Sequence, residues 1–324
     1  MFKTSNTFLP VSAVCLSTLL GYLLAVAYVS FIDAMERMRV RGTFSKYLSP
    51  EVMNEVLKSY DDIKPEVGKK IESTILFSDI RSFTSISEHY PVEVVVTLLN
   101  EYFEAMIGEV HNYKGTMDKM IGDAIMAFWN APIPQDDHAL RAVESSFKMH
   151  ELLVDLNKEW QEKEYPEVKI GIGINTGDLI IGNIGSSARV DFTAIGDNVN
   201  LGARLEGLCK NYAAGIVISE FTYEYIKDKY PCRLLDKVAV KGKELPITIY
   251  QPFRVDKENI SGKWNAIHDL YMNREWDKAL AEIDNFLKEF KDDKVALMFR
   301  DRVVQFKEEP PDENWQGVEV LKTK

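Results

Sequence analysis

Between Val11 and Ile32 the chain runs for about 22 residues without one charged side chain. About 20 apolar residues are enough to cross the hydrocarbon of a bilayer, where only a helix satisfies its own backbone over a single segment. The run is too long for a secretory leader and lacks a small-residue cleavage site. Only Lys3 precedes it, whereas Arg37, Arg39, Arg41 and Lys46 follow closely. Positive charge collects on the cytoplasmic side, so the expectation is a single membrane span with everything after Asp33 in the cytoplasm. A span so near the first residue also fits a chain from which an extracytoplasmic domain has been removed.

The whole sequence has 324 residues, enough for one ordinary domain plus accessories. Its net charge of −11 argues against a nucleic-acid partner, which wants a basic face. Cys15, Cys209 and Cys232 show no CxxC spacing, so neither a disulfide framework nor a zinc site is expected. From Ala34 to Tyr60 the apolar residues Phe44, Tyr47, Leu48, Val52, Val56 and Leu57 recur roughly at helical spacing, and Ser49-Pro50-Glu51 marks a second helix start. That stretch reads as a solvated linker or as a signal-carrying dimer seam. Asp61 to Lys70, polar and with Pro65 and Gly68, marks a domain boundary.

From Glu72 strands and helices alternate. A strand over Ser73–Ser78 is followed by a helix from about Val92 to Tyr113, with Leu98, Leu99, Tyr102, Phe103, Met106 and Val110 turned inward. Gly115–Ile121 and Ala124–Trp129 read as strands joined at Gly122-Asp123 by a tight hairpin. A long helix covers about Gln135 to Lys163. Lys169–Thr176 and Leu179–Gly185 read as two strands meeting in a second hairpin at Gly177-Asp178. A helix from about Asn198 to Tyr212 follows, then short strands and a helix up to Pro252. Paired strands between helices predict an α+β fold with a mainly antiparallel sheet. After Arg254 three helical patterns contain Trp264 to Tyr271, Trp276 to Leu287 and Val295 to Phe306. The first two form a hairpin similar to a single tetratricopeptide unit. One such unit cannot bury its own face, so it packs on the preceding domain or on a twin chain. The tail from Glu308 reads as extended.

Four stretches carry chemistry. In Ile75–Thr84 an apolar run delivers Asp79 at a strand end, and Ile80-Arg81-Ser82-Phe83-Thr84 reads as a turn opening a helix. A carboxylate beside free backbone donors suits a magnesium triphosphate. Alone, the stretch fits better an Asp capping the next helix. Asp123 is a second strand-end carboxylate, in a Gly-Asp pair that is otherwise an ordinary turn. If the two ends lie side by side, two metals can sit between them and stabilise the attacking and leaving oxygens of a displacement at phosphorus. In Asp191–Arg204 a turn at Gly196 leads into a helix. Asn200 and Arg204, four apart, share one face of it, suited to a sugar and a developing phosphoryl charge. Lys241-Gly242-Lys243 is a basic pair that suits a terminal phosphate. Singly, the last two are also what a solvated surface carries.

Together and in this order, the four stretches resemble the catalytic domain of class III nucleotidyl cyclases, over about Ser73 to Phe253. The resemblance implies a ferredoxin-like palm, a nucleoside triphosphate substrate, two Mg²⁺ (or Mn²⁺) ions and a head-to-tail homodimer with sites at its interface. It implies metal binding by Asp79, Ile80 and Asp123, and substrate binding by Lys119, Thr193, Lys241, Arg189, Phe83 and Thr84. Asn200 matches the ribose-orienting asparagine and Arg204 the transition-state arginine. Arg189 is one residue off its usual offset from Thr193. Lys119 and Thr193 fall on the purine-reading pair and resemble adenylate cyclases of a bacterial Lys/Thr subgroup. Guanylate cyclases usually carry Glu and Cys there. Lys119 can donate to adenine N1, and a threonine hydroxyl can accept from the exocyclic amine.

The resemblance divides the chain into a transmembrane helix (1–33), a juxtamembrane linker (34–71), a catalytic domain (72–253) and a helical tail (254–324). Arg41–Val52 looks like the juxtamembrane stretch of membrane-tethered bacterial cyclases. No histidine is promoted to a catalytic base: His89, His111, His138 and His150 read as surface or helix-face residues. The alternatives are a guanylate cyclase, a catalytically inactive membrane-tethered signalling or scaffold module, and, more weakly, a phosphotransferase. The last has only the glycines from Gly171 to Gly177 in its favour, without a GxxxxGK[ST] loop.

Overall fold

The structure is a computed structural model and describes residues 11–44, 68–186, 190–239 and 246–320. Helix α1 (Val11–Phe44) holds an apolar stretch, Cys15–Met35, long and apolar enough to cross a membrane, with mean hydropathy 2.0 and none of it buried. The charged residues expected to begin the juxtamembrane helix continue α1 to Phe44, and the proposed second helix lies outside the described residues.

The sheet contains β1 (Lys69–Ile80), β2 (Thr116–Ile121), β3 (Ala124–Trp129), β4 (Ile170–Gly185), β5 (Val190–Ile195), β6 (Ile216–Ser219), β7 (Cys232–Ala239), β8 (Ile247–Pro252) and β9 (Val318–Val320). Its order is β2-β3-β1-β4-β6-β8-β7-β9, with β5 paired to the far half of β4. Among the described residues only β4–β6 and β7–β9 pair in parallel; the other ladders are antiparallel, as the pairing of strands between helices predicts. The intervening helices are α2 (Phe83–His89), α3 (Val92–Asn112), α4 (His138–Glu162), α5 (Asp197–Asn211) and α6 (Glu220–Ile226). A C-terminal group follows: α7 (Ile260–Met272), α8 (Trp276–Glu289) and α9 (Lys294–Glu308).

Successive residues of a strand face opposite sides, and β1 feeds two cores in this way. Leu76 and Ile80 join Leu98, Tyr102, Met106 and Val110 of α3 and Val143, Leu153 and Trp160 of α4. Ile75 and Phe77 face the other side, with Met126, Phe128, Leu179, Ile181 and Val199. On that side a third cluster joins Leu201, Leu205 and Leu208 of α5 to Val217, Leu235 and Ile249 of the sheet and to Trp264, Ile283, Phe299 and Val303 of the C-terminal helices. The tail therefore packs on this chain's own sheet through a shared core.

One expectation is overturned. Gly177-Asp178 is not a hairpin: β4 runs straight through it, with Gly177 opposite Ser73 and Asp178 opposite Glu72. The strand continues because β1 begins at Lys69, inside the expected boundary, and offers a ladder long enough to hold it. Gly177 is small for packing: a Cβ there would lie 2.6 Å from the Asn198 amide. Gly122, by contrast, turns the β2–β3 hairpin with φ +65, a conformation glycine adopts at no steric cost. Strand β5, not separated from its surroundings by the periodicity, takes Val190–Ile195.

Candidate active site

Asp79 is the penultimate residue of β1. The β1–β3 register, Ser78 opposite Ile125, sets the β2–β3 turn and Asp123 beside it. The two carboxyl groups come within hydrogen-bonding reach. Burial, then the hydrogen bond and charge of Asp123, then the charge of Glu206 push Asp79 up to about 7, against the Ile80 N–H, which donates to its Oδ1 at 3.1 Å. Glu206, two residues beyond Arg204 in α5, is itself raised by burial. Arg81 pairs with it at 3.0 Å and also donates to its main-chain carbonyl at 3.0 Å. The neighbouring carboxyl groups of Asp79 and Asp123 are hard oxygen donors of the kind that suits a divalent cation such as Mg²⁺, while Glu206 is taken up by Arg81. After Ile80 the chain turns through Ser82, at φ 58, into α2, which carries Phe83 half-buried and Thr84 exposed.

Lys119 and Thr193 meet although 74 residues separate them: Lys119 Nζ donates to Thr193 Oγ1 at 3.0 Å. Two structural choices bring them together. The β2 bulge between Met117 and Lys119 resets the strand face, and β5 folds back on the far half of β4. Beneath them lies Asp118, fully buried, which sequence reasoning passed over. Its Oδ2 accepts the Thr193 hydroxyl at 2.7 Å and the Ala194 N–H at 3.1 Å, and its Oδ1 lies 3.2 Å from Lys119 Nζ.

Asn200 and Arg204 are exposed on α5, while Leu201, Leu205 and Leu208 bury its other face. Gly196 starts the helix at φ 138, accepting the N–H groups of Val199 and Asn200. Asn175 anchors this end by donating to the Asn198 carbonyl at 2.9 Å, and is itself held by Ser219 at 2.7 Å. Gly173 lets α5 approach the sheet: a Cβ there would lie 2.1 Å from the Glu206 nitrogen. Arg189 and Lys241 lie outside the described residues. His138 is buried against Thr74 at 2.8 Å, and His150 meets the Gly215 carbonyl at 3.1 Å. Both are held below the ordinary imidazole range by burial.

The missed residues Arg81, Asp118 and Glu206 all neighbour assigned ones in sequence or along a helix. That adjacency is the only signal the sequence offers for them.

Residues 66–251, more than half of the chain, match the adenylate and guanylate cyclase catalytic domain family, and the chain belongs to that family. It is 36% identical over 295 residues to the terminal-differentiation-specific adenylate cyclase of Dictyostelium discoideum, covering 87% of this chain and 13% of that protein. It is 33% identical to adenylate cyclase 1 of Rhizobium meliloti, covering 70% of this chain and 34% of the relative. The chain thus spans about a third or less of the length of these two relatives. Among solved structures it resembles the adenylyl cyclase CyaB of P. aeruginosa, with TM-score 0.55 and 38% identity over 59% of this chain and 97% of that one. It resembles the guanylyl cyclase Cya2 almost equally, with TM-score 0.54 and 36% identity over 60% of this chain and 98% of that one.

Proposed function

We propose that this chain is a membrane-tethered adenylate cyclase, converting ATP to 3′,5′-cyclic AMP and pyrophosphate. Since both adenylyl and guanylyl cyclases share the fold, the purine must be chosen by the side chains that read it. The observation that carries the reading is the Lys119–Thr193 contact, a donor and a hydroxyl joined across the sheet. It suits adenine, whose N1 accepts and whose exocyclic amine donates.

In this reading Asp79, the Ile80 carbonyl and Asp123 would hold two Mg²⁺ or Mn²⁺ ions, which would supply positive charge at the phosphates and raise the acidity of the ribose 3′-hydroxyl. The excess of carboxylates there supports that role. The ribose 3′-oxygen attacks the α-phosphorus, its proton passes to solvent, and the bond to the β-phosphate oxygen breaks. Asn200 orients the ribose, and Arg204 takes up charge developing on the phosphates. The turn from Ile80 to Thr84, with Arg189 and Lys241, binds the triphosphate. The site forms between two copies, Asp79 and Asp123 from one and Lys119, Thr193, Asn200, Arg204 and Lys241 from the other. The exposed apolar residues Met120, Ile121, Ile180 and Ile195, beside both half-sites, support such an interface. Cys15–Met35 anchors the chain in the inner membrane with residues 72–253 as the cytoplasmic catalytic domain. The helices from 254 onward form its packed tail.

The test is product analysis of the full chain in detergent with ATP or GTP and Mg²⁺ or Mn²⁺. Cyclic AMP as the main product is expected, and Lys119→Glu with Thr193→Cys should move the preference toward GTP. Cyclic GMP alone would overturn the purine reading. The absence of any product from a dimeric preparation would favour a signalling module without catalysis.

A further inference from the structure

Thr193 is half of the purine contact, and a hydroxyl can either donate or accept. Its behaviour depends on where its single proton points. Lys119 Nζ, at 3.0 Å, can only donate to it. Asp118 Oδ2, at 2.7 Å, also receives the Ala194 N–H at 3.1 Å. A backbone N–H only donates, so Oδ2 is an accepting oxygen. Any proton the buried carboxyl took would reside on Oδ1, beside Lys119. The Thr193 proton is therefore committed to Oδ2, and one lone pair is committed to Lys119. What faces an incoming base is the remaining lone pair.

We propose that Asp118 is a specificity-positioning residue: by taking the Thr193 proton it makes that hydroxyl an acceptor only, so that the site takes a purine bearing an amino group at position 6 and rejects one bearing a carbonyl. The proposal rests on the reading of Lys119 and Thr193 as the purine contacts. Asp118 acts on the second contact as well. Its Oδ1, 3.2 Å from Lys119 Nζ, steers the ammonium toward the hydroxyl and so toward the Watson–Crick edge of the base. There adenine N1 accepts, whereas guanine N1 carries a hydrogen. Both contacts then exclude guanine in the same orientation of the base. Burial raises Asp118 above the usual carboxylate range, and the three donors around it, from Thr193, Ala194 and Lys119, counter that burial.

The experiment measures kcat/KM for ATP and for GTP with the full chain in detergent, comparing wild type with Asp118→Ala, Asp118→Asn and Thr193→Val. In Asp118→Ala the hydroxyl is free to rotate and donate to a carbonyl. The ATP-to-GTP ratio should fall about tenfold, the scale of one directed hydrogen bond. Asp118→Asn keeps an accepting oxygen for both Ala194 and Thr193, and should hold the ratio within about threefold of wild type. Equal loss with both nucleotides in Asp118→Ala, the ratio unchanged, would reduce Asp118 to a structural residue and overturn the proposal. So would an Asn variant that loses the ratio as fully as Ala. Should Asp118→Ala not fold, Asp118→Ser makes the same test, because its hydroxyl can accept from Ala194 while leaving Thr193 free to turn. Thr193→Val separates the two claims: an unchanged ratio there would remove the purine assignment itself, whatever Asp118 does.

Discussion

At the Asp79 end of β1, three carboxylates, Asp79, Asp123 and Glu206, are electrostatically linked, and one guanidinium, Arg81, is paired among them. Where the C-terminal helices meet β7, two carboxylates face two guanidiniums. Arg233 grips Asp293 with both nitrogens, at 2.6 and 2.8 Å, and lies 4.4 Å over the Trp264 ring. Arg302 donates to Asp236 at 2.6 Å, on the same oxygen that takes the Tyr212 hydroxyl at 2.7 Å. Both regions remove charge from water. The second balances it and has the pattern of a seam. The first leaves negative charge over, which a folded chain tolerates only at a cost. That imbalance is what suits a site for cations. The following substitutions break or sharpen this contrast.

The largest effect is expected at Asp79. Asp79→Asn removes one of the crowded carboxylates, so cyclic nucleotide production should fall about a thousandfold, the scale of lost metal-ion assistance. In chelator the same variant should melt a few degrees higher than wild type, since about 1 kcal/mol shifts a domain of this size by roughly 2–4 °C. Mg²⁺ should raise the melting temperature of wild type and leave the variant's unmoved. A variant that melts lower in chelator would show that the cluster is not repulsive.

Helix α5 belongs to both regions: Glu206 lies on it and Tyr212, which holds Asp236, follows its last residue. Gly173 is where the sheet admits it. An alanine Cβ would stand 2.1 Å from the Glu206 nitrogen and 2.5 Å from the Gly202 carbonyl, both backbone atoms that cannot swing aside. Gly173→Ala should therefore lift α5, and Asn200 and Arg204 with it. A fall in kcat of about a hundredfold is expected, as for a displacement of about 1 Å at a reacting centre. The sensitive comparison is with Gly108→Ala, where a Cβ meets nothing within 4 Å and kcat should hold.

This glycine also shows what the sequence reveals and what it withholds. The strand-end positions of Asp79 and Asp123 are legible because an apolar run stops at each side chain that must face water or a ligand. The helix carrying Asn200 and Arg204 is legible from its four-residue spacing. Gly122-Asp123 and Gly177-Asp178 look alike, yet one turns and the other lies within a strand, because only the partner ladder and the Asn198 amide decide. Asp118 finds Thr193 at a distance of 75 residues and Arg81 finds Glu206 at 125. No local period encodes either meeting; the order of strands creates both. The seam is equally hidden, since Arg233 and Asp293 lie 60 residues apart and Asp236 and Arg302 lie 66 apart, and only the packing of the C-terminal helices on β7 brings them together.

The balanced seam makes its own prediction. Arg233→Met leaves Asp293 without its partner and should cost about 3 kcal/mol in urea unfolding. Arg233→Met with Asp293→Asn should recover most of that. Asparagine keeps the cap that Asp293 gives to α9 through the Ala296 N–H, at 2.8 Å, while the charge is gone. The ATP-to-GTP ratio should be the same in both variants. A double variant as unstable as the single one would show that packing of the arginine over Trp264, not charge balance, holds the seam.

A smaller effect comes from His268, buried in that seam between Tyr271 and Phe299. Burial, and then the charge of Arg302, hold its imidazole down to about 4. The folded protein therefore keeps His268 neutral over a range where the unfolded chain, titrating near 6.5, takes a proton. The stabilising contribution of the neutral ring is complete above pH 6.5 and is lost as pH falls from there toward 4. At pH 5 the loss reaches about 2 kcal/mol. His268→Leu, which cannot titrate, should have a flatter melting-temperature profile between pH 7 and 5. The Asp79 cluster slopes the other way, because a carboxyl raised in the folded state binds protons there that the unfolded chain has released. The two regions thus oppose each other on acidification, and comparing His268→Leu with Asp79→Asn across that window separates their contributions. Parallel profiles for the two variants would mean that neither region controls the pH response.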